Sequence, residues 1–154
     1  MGLAWSAENI LSWRSQYDRI KRWSVRLREF GSDEMDQERL DFYLAFFLNC
    51  YSLRDWLINS NAIPRSDLDE LIQSSVAMCV CRDLCNRSKH LILNNPSADK
   101  DFSIVREYTP NGNRFFIVVF DKSHDLFEIA VACIQFWSDF LTSHKLPEPK
   151  NSFA

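Results

Sequence analysis

The segment Phe42 to Ile58, Phe-Tyr-Leu-Ala-Phe-Phe-Leu-Asn-Cys-Tyr-Ser-Leu-Arg-Asp-Trp-Leu-Ile, is apolar on nearly every side when wound as a helix. A helix of that kind is stable in water only when covered on several sides, which makes it the central element of a bundle rather than a surface helix. One of its stripes, Leu44, Leu48 and Tyr51, leads into Asp55, an acid expected to be partly buried and to need a cation. Arg54 is expected to point elsewhere, because adjacent helical residues diverge. Ser32, Asp33 and Glu34 set acids at the start of this helix, where the macrodipole favours them, and the pattern carries it to about Asn59.

The elements that cover it are legible on either side. From Ser6 to about Glu29, Ile10, Trp13, Tyr17, Ile20, Ser24 and Leu27 recur at three- and four-residue spacing, an amphipathic helix with Ser6 as cap and Gly31 as stop. Its other face carries Arg14, Arg19, Lys21, Arg22, Arg26 and Arg28, the one locally basic surface in a chain whose net charge is −3. Pro64 breaks the chain, and Ser66 with Asp69 has the spacing of a capping box that opens a third helix running to about Leu93. Asn94-Asn95-Pro96 stops it. The β-branched and aromatic runs at 102–108 and 114–120, joined by Thr-Pro-Asn-Gly-Asn, predict a β-hairpin. A last apolar-periodic stretch, from Ser123 to about His144, predicts a fourth helix. The expected fold is all-α: an antiparallel four-helix bundle with a β-hairpin inserted between the third and fourth helices. It forms one domain over residues 1–146, with 147–154 as a tail.

Composition narrows the function classes. With three glycines, at 2, 31 and 112, no glycine-rich phosphate loop exists. The stretches bracketed by Asp41 and Asp55 and by Asp125 and Asp139 are too short for a membrane span, and the first residues lack the basic start and apolar run of a secretory signal. Five cysteines, an odd number, sit in helix-like stretches and read as reduced, packed thiols; cytoplasm is the expected compartment.

The stretch Arg82 to Leu93 departs from a plain core pattern. With Ile72 as origin and a 100° step, Val76, Cys79, Asp83, Asn86 and His90 fall within about 40° of one another on one helix face. Buried unpaired polar groups cost roughly 1 to 3 kcal/mol each, so Asp83, Asn86 and His90 must find partners inside or line a groove. Asp55 and Asp83 are expected to join this stripe in a partly buried network, with Arg82 as its cation. A metal at Cys79, Cys81, Cys85 and His90 is disfavoured, since Cys79 and Cys81 diverge by about 160° and no CxxC pair occurs. No cofactor or metal is expected. A thiol nucleophile is no better placed, Cys85 lying about 140° from His90.

The order of elements, the segment Tyr-Ser-Leu-Arg-Asp-Trp-Leu at 51–57, and Asn86-Arg-Ser-Lys-His90 near the end of a long helix together resemble HEPN-type (higher eukaryotes and prokaryotes nucleotide-binding) helical bundles over about residues 5–144. That resemblance implies a metal-independent RNase, in which an Arg and a His four to six residues apart meet their copies across a dimer interface, or a non-catalytic relative that binds partners. His90 matches the family histidine. The arginine spacing departs from the pattern, Arg82 standing seven intervening residues from His90 and Arg87 two. In the RNase reading His90 is base or acid, Arg82, Arg87 or Lys89 stabilises the phosphate, and Asn86 orients the histidine. The broken spacing favours a homodimerising or protein-binding module, in prokaryotic defence or toxin-antitoxin biology as the resemblance implies. RNA remains a possible partner and a membrane is not expected.

Overall fold

The computed structural model describes residues 12–29, 36–89, 102–110 and 112–146. Helix α1 spans Trp13–Arg28 and starts at a reciprocal capping box, the Ser12 hydroxyl accepting from Ser15 N while the Ser15 hydroxyl accepts from Ser12 N. The expected cap at Ser6 and stop at Gly31 lie outside the described residues. Trp13, Ile20, Ser24 and Leu27 are buried as their spacing requires, and Gln16 joins them because its amide donates to the Asn49 carbonyl at 2.8 Å.

Helix α2, Asp36–Asn59, is the central element, with α1 and two later helices packed on it. No residue from 42 to 54 is exposed. Tyr43, Phe46, Phe47, Cys50, Leu53 and Leu57 are the most deeply buried, so the all-round apolarity of the sequence is matched by cover on all sides.

The third helix is two helices. Helix α3, Arg65–Gln73, ends at Ser74, whose hydroxyl donates to the Leu71 carbonyl at 2.6 Å. Helix α4, Val76–Lys89, begins behind Ser75, whose hydroxyl accepts from Met78 N at 3.2 Å. Two consecutive serines thus offer the backbone local partners that compete with a continuous helical ladder. The Ser66–Asp69 capping box does not form: Pro64 occupies the N-cap and makes no side-chain cap bond.

The β segment also differs from its expectation. Strands β1, Ser103–Thr109, β2, Gly112–Val119, and β3, Lys122–Asp125, form an antiparallel sheet in the order β1-β2-β3. Residues 122–125 pair with β2 instead of opening the last helix, because Asp125 is the N-cap, its carboxylate accepting from Phe127 N at 2.7 Å and pairing with Arg114. Phe115, Ile117 and Val119 point into the core, and Phe115 meets Tyr43 with ring centroids 6.2 Å apart. Helix α5, Leu126–Ser143, closes the core with Ile129, Cys133, Trp137 and Phe140.

The protein is therefore mostly helical, but a four-helix bundle with a hairpin inserted between the third and fourth helices is not what it forms. Five helices and a three-stranded sheet occur among the described residues, and the sheet follows α4 and precedes α5. By length and composition α5 could cross a membrane, at 18 residues and mean hydropathy 1.2, although its stretch had looked too short. A third of that stretch is buried inside the protein, where it packs against α1, α2, α4 and the sheet.

The β2–β3 turn carries strain. Val119 and Lys122 are paired across it, and both central residues, Phe120 (φ 48°) and Asp121 (φ 61°), are left-handed without being glycine. Replacing Phe120-Asp121 by Asn-Gly is expected to raise the unfolding free energy by about 1 kcal/mol, read by urea denaturation, because this turn type favours that pair. A loss instead would mean that the Phe120 ring holds the turn through its contacts.

Candidate functional site

Helix α4 places the singled-out residues at different depths. Asp83 is only 1% exposed and is engaged by neighbouring groups. Cys79, one turn earlier, is also buried; burial, followed by the Asp83 carboxylate, pushes its thiol up, against a smaller pull from Arg82. Asn86 is half-buried, and Arg87 is exposed with its guanidinium 5.8 Å from the Phe102 ring centroid. The Lys89 side chain and all of His90 lie outside the described residues. Val76, expected on the same buried face, is 64% exposed, because the break at Ser74-Ser75 interrupts the register carried over from Ile72.

Asp55 is placed otherwise than expected. Its side chain is 57% exposed and its cation is Arg54, at 2.7 Å, so it does not share a buried network with Asp83. It faces a hollow of about 360 Å³ together with Trp13, Trp56 and Asn59. Adjacent Cβ atoms do diverge on a helix, but the long guanidinium reaches back across that angle.

The same guanidinium organises a cleft. Arg54 Nε and Nη2 donate to the two Asp69 carboxylate oxygens at 2.6 and 2.9 Å, while Nη1 reaches Asp55. This two-pronged pair ties α2 to α3. Tyr51, Arg54, Asp69, Ile72, Gln73 and Arg82 line a cavity of about 220 Å³ beside it, into which α4 contributes Arg82. That is below the roughly 300 to 1,000 Å³ usual for small-molecule sites. The hydrogen bond from Arg54 holds the Asp69 carboxyl below its ordinary range, and burial pushes the Tyr51 hydroxyl up against the pull of Arg54 and Arg82.

A second constellation sits at the centre of the core. Cys50 on α2, Cys81 on α4 and Cys133 on α5 bring their sulfurs within 4.8 Å of one another, each at 0% exposure. Cys133 and Cys81 have the Ala77 and Phe47 carbonyls as acceptors at 3.4 and 3.5 Å, and Trp137 Nε1 donates to the Cys50 carbonyl at 3.0 Å. Burial pushes the Cys81 and Cys133 thiols up; for Cys50 burial is outweighed by hydrogen bonds from Cys133, Cys81 and Trp137, which makes it the easiest of the three to ionise. The sequence had directed attention to Cys79, Cys81, Cys85 and His90. The overlooked signal is that Cys50, Cys81 and Cys133 each fall on the buried stripe of a different helix, flanked by Phe47 and Leu53, Met78 and Leu84, and Ala130 and Trp137.

No protein-family model, no curated protein and no solved structure matches this chain.

The Arg54–Asp69 pair sets a pH signature. Asp69→Asn is expected to cost about 1 kcal/mol at pH 7, a modest figure because the Asp69 side chain is 44% exposed and solvent screens the pair. A carboxylate whose pKa is lowered by folding stabilises above its ordinary range and loses that stabilisation as pH falls through the lowered value. The gap between Asp69→Asn and the parent protein in urea melts should therefore close as pH falls through and below the ordinary carboxylate range. A gap that persists undiminished at low pH would show that Asp69 acts through packing instead.

Proposed function

We propose that this chain is a non-catalytic helical binding module of the HEPN-like kind its sequence resembles, which pairs with a second copy of itself and, through that dimer, serves a protein partner. A setting in prokaryotic defence or toxin-antitoxin biology belongs to the same proposal. The observation that carries it is the Arg54 guanidinium at the cleft, held between the Asp69 and Asp55 carboxylates. Proton-transfer catalysis works best with groups tuned toward the working pH, whereas here the Asp69 carboxyl is held ionised and the Tyr51 phenol held neutral. The Arg54 guanidinium is already bound by Asp69 and Asp55, and Arg82, a cation the RNase reading assigns to the phosphate, stands on the wall of the same cleft. Asp83, the acid of the α4 stripe, is shut inside the core. The cleft holds charge in place rather than moving protons.

Apolar groups left on the outside support association. Val105 is 45% exposed, Tyr108 84% and Phe120 68%, on and beside a sheet whose β1 edge pairs only with β2 among the described residues. Light scattering at about 50 µM is expected to give twice the 18.1 kDa chain mass. Single-stranded and structured RNAs incubated with the protein from about pH 5 to 9 should stay intact. A monomer mass overturns the pairing. Cleavage that persists in EDTA and disappears in Arg82→Ala or His90→Ala overturns the non-catalytic reading in favour of a metal-independent RNase with a His-centred site.

A further inference from the structure

The cysteine triad is built differently from incidental core thiols. Cys79 and Cys85 are buried too, yet they stand outside the converging group. Cys50, Cys81 and Cys133 come from three separate helices and meet at one point, so their convergence depends on the packing of α2, α4 and α5 together. Pyramidal arsenic(III) draws three sulfurs closer together than a planar trigonal ion such as Cu(I), which at about 2.3 Å from each sulfur would hold them about 4.0 Å apart. The observed spread, all within 4.8 Å, needs only a small contraction to reach that.

We propose that Cys50, Cys81 and Cys133 form a buried three-sulfur site for a soft, thiophilic ion that requires no water ligand, of the class of Cu(I) or trivalent arsenic. Two observations select that class. Among the described residues no fourth His, Cys, Asp or Glu joins the group, and all three cysteines are at 0% exposure, out of contact with bulk water, whereas zinc in structural sites takes four ligands. Thiolate-only donor sets also select soft ions. The charge balance ranks the two members of the class. Three thiols and arsenous acid give a neutral three-sulfur product and three waters, with no electron transferred. Three thiols and Cu(I) give a complex of charge −2 and release three protons. A dry core disfavours net charge, so arsenic(III) is ranked ahead of Cu(I). Entry requires local opening of the helices around the site, which makes uptake slow but does not alter its stoichiometry.

The test uses the full chain, reduced and kept anaerobic, equilibrated separately with arsenite, with Cu(I) delivered from a competing chelator, and with Zn(II). The expected result is one equivalent of arsenic or copper bound, a higher Tm in the bound form, and zinc no tighter than to a control protein. Cys50→Ala, Cys81→Ala and Cys133→Ala should each lose affinity by more than the roughly 10- to 100-fold typical of losing an outer partner of a metal site. Cys79→Ala and Cys85→Ala should bind as the parent does. Should a triad variant fail to fold by circular dichroism, X-ray absorption on the loaded parent protein decides the matter by counting three sulfur neighbours. Failure of both ions to bind at one equivalent, uptake unchanged in the triad variants, a shell with fewer than three sulfurs, or preferential four-coordinate zinc binding would each overturn the proposal.

Discussion

Cover of the apolar middle of α2, residues 42–54, is the constraint on which the rest of the structure depends. From 42 to 54 no side chain of this helix is exposed, so α1, α4, α5 and the sheet are held in place by the surface they remove from water. The aromatic side chains add direction to that burial. Phe46 and Phe47 meet edge-on at 5.2 Å, Tyr43 reaches Phe115 of the sheet, and Trp137 of α5 meets Phe140 edge-on at 5.8 Å while donating to the Cys50 carbonyl. That last bond fixes a bulky, fully buried indole against the helix it covers and sets the depth at which Cys133, one turn away, approaches Cys50.

The break at Ser74-Ser75 decides where the polar groups go. An unbroken helix from 66 to 93 would carry Asp69 and Arg82 on one rod. With the rod divided, α3 brings Asp69 to Arg54 on α2, and α4 brings Arg82 to the other wall of the same cleft. Ionic groups consequently collect where solvent still reaches them, while the interior centre is filled by thiols, which are small, polarisable and inexpensive to bury. Asp83 and Asp125 are the exceptions, buried acids that are each engaged by neighbouring groups.

On the outside, α1 keeps its cations over its own aromatic rings: Arg14 on Trp13 at 4.8 Å, Lys21 on Tyr17 at 4.8 Å and Arg26 on Trp23 at 4.5 Å. Lys21 also pairs with Asp18 at 2.9 Å. The basic face seen in the sequence is thus partly committed to local contacts, which weakens it as a phosphate-binding stripe.

By itself the sequence determined the elements whose signal is local and strong. The apolarity of Phe42 to Ile58 required a covered central helix, the spacing of Trp13, Ile20 and Leu27 required an amphipathic α1, and the turn after Tyr108 required a hairpin. What it could not determine was every feature resting on a choice between two locally plausible partners. Ser74 and Ser75 can face solvent within a helix or cap its ends, Asp69 can complete a capping box or bind Arg54, and Lys122 to Asp125 can begin a helix or pair with β2. In each case tertiary packing decided, because only the assembled core sets which alternative leaves fewer polar groups unsatisfied. The meeting of Cys50, Cys81 and Cys133 was invisible for a related reason: helical periodicity assigns each thiol to a buried face, but the relative heights of α2, α4 and α5 are fixed only when their side chains interlock.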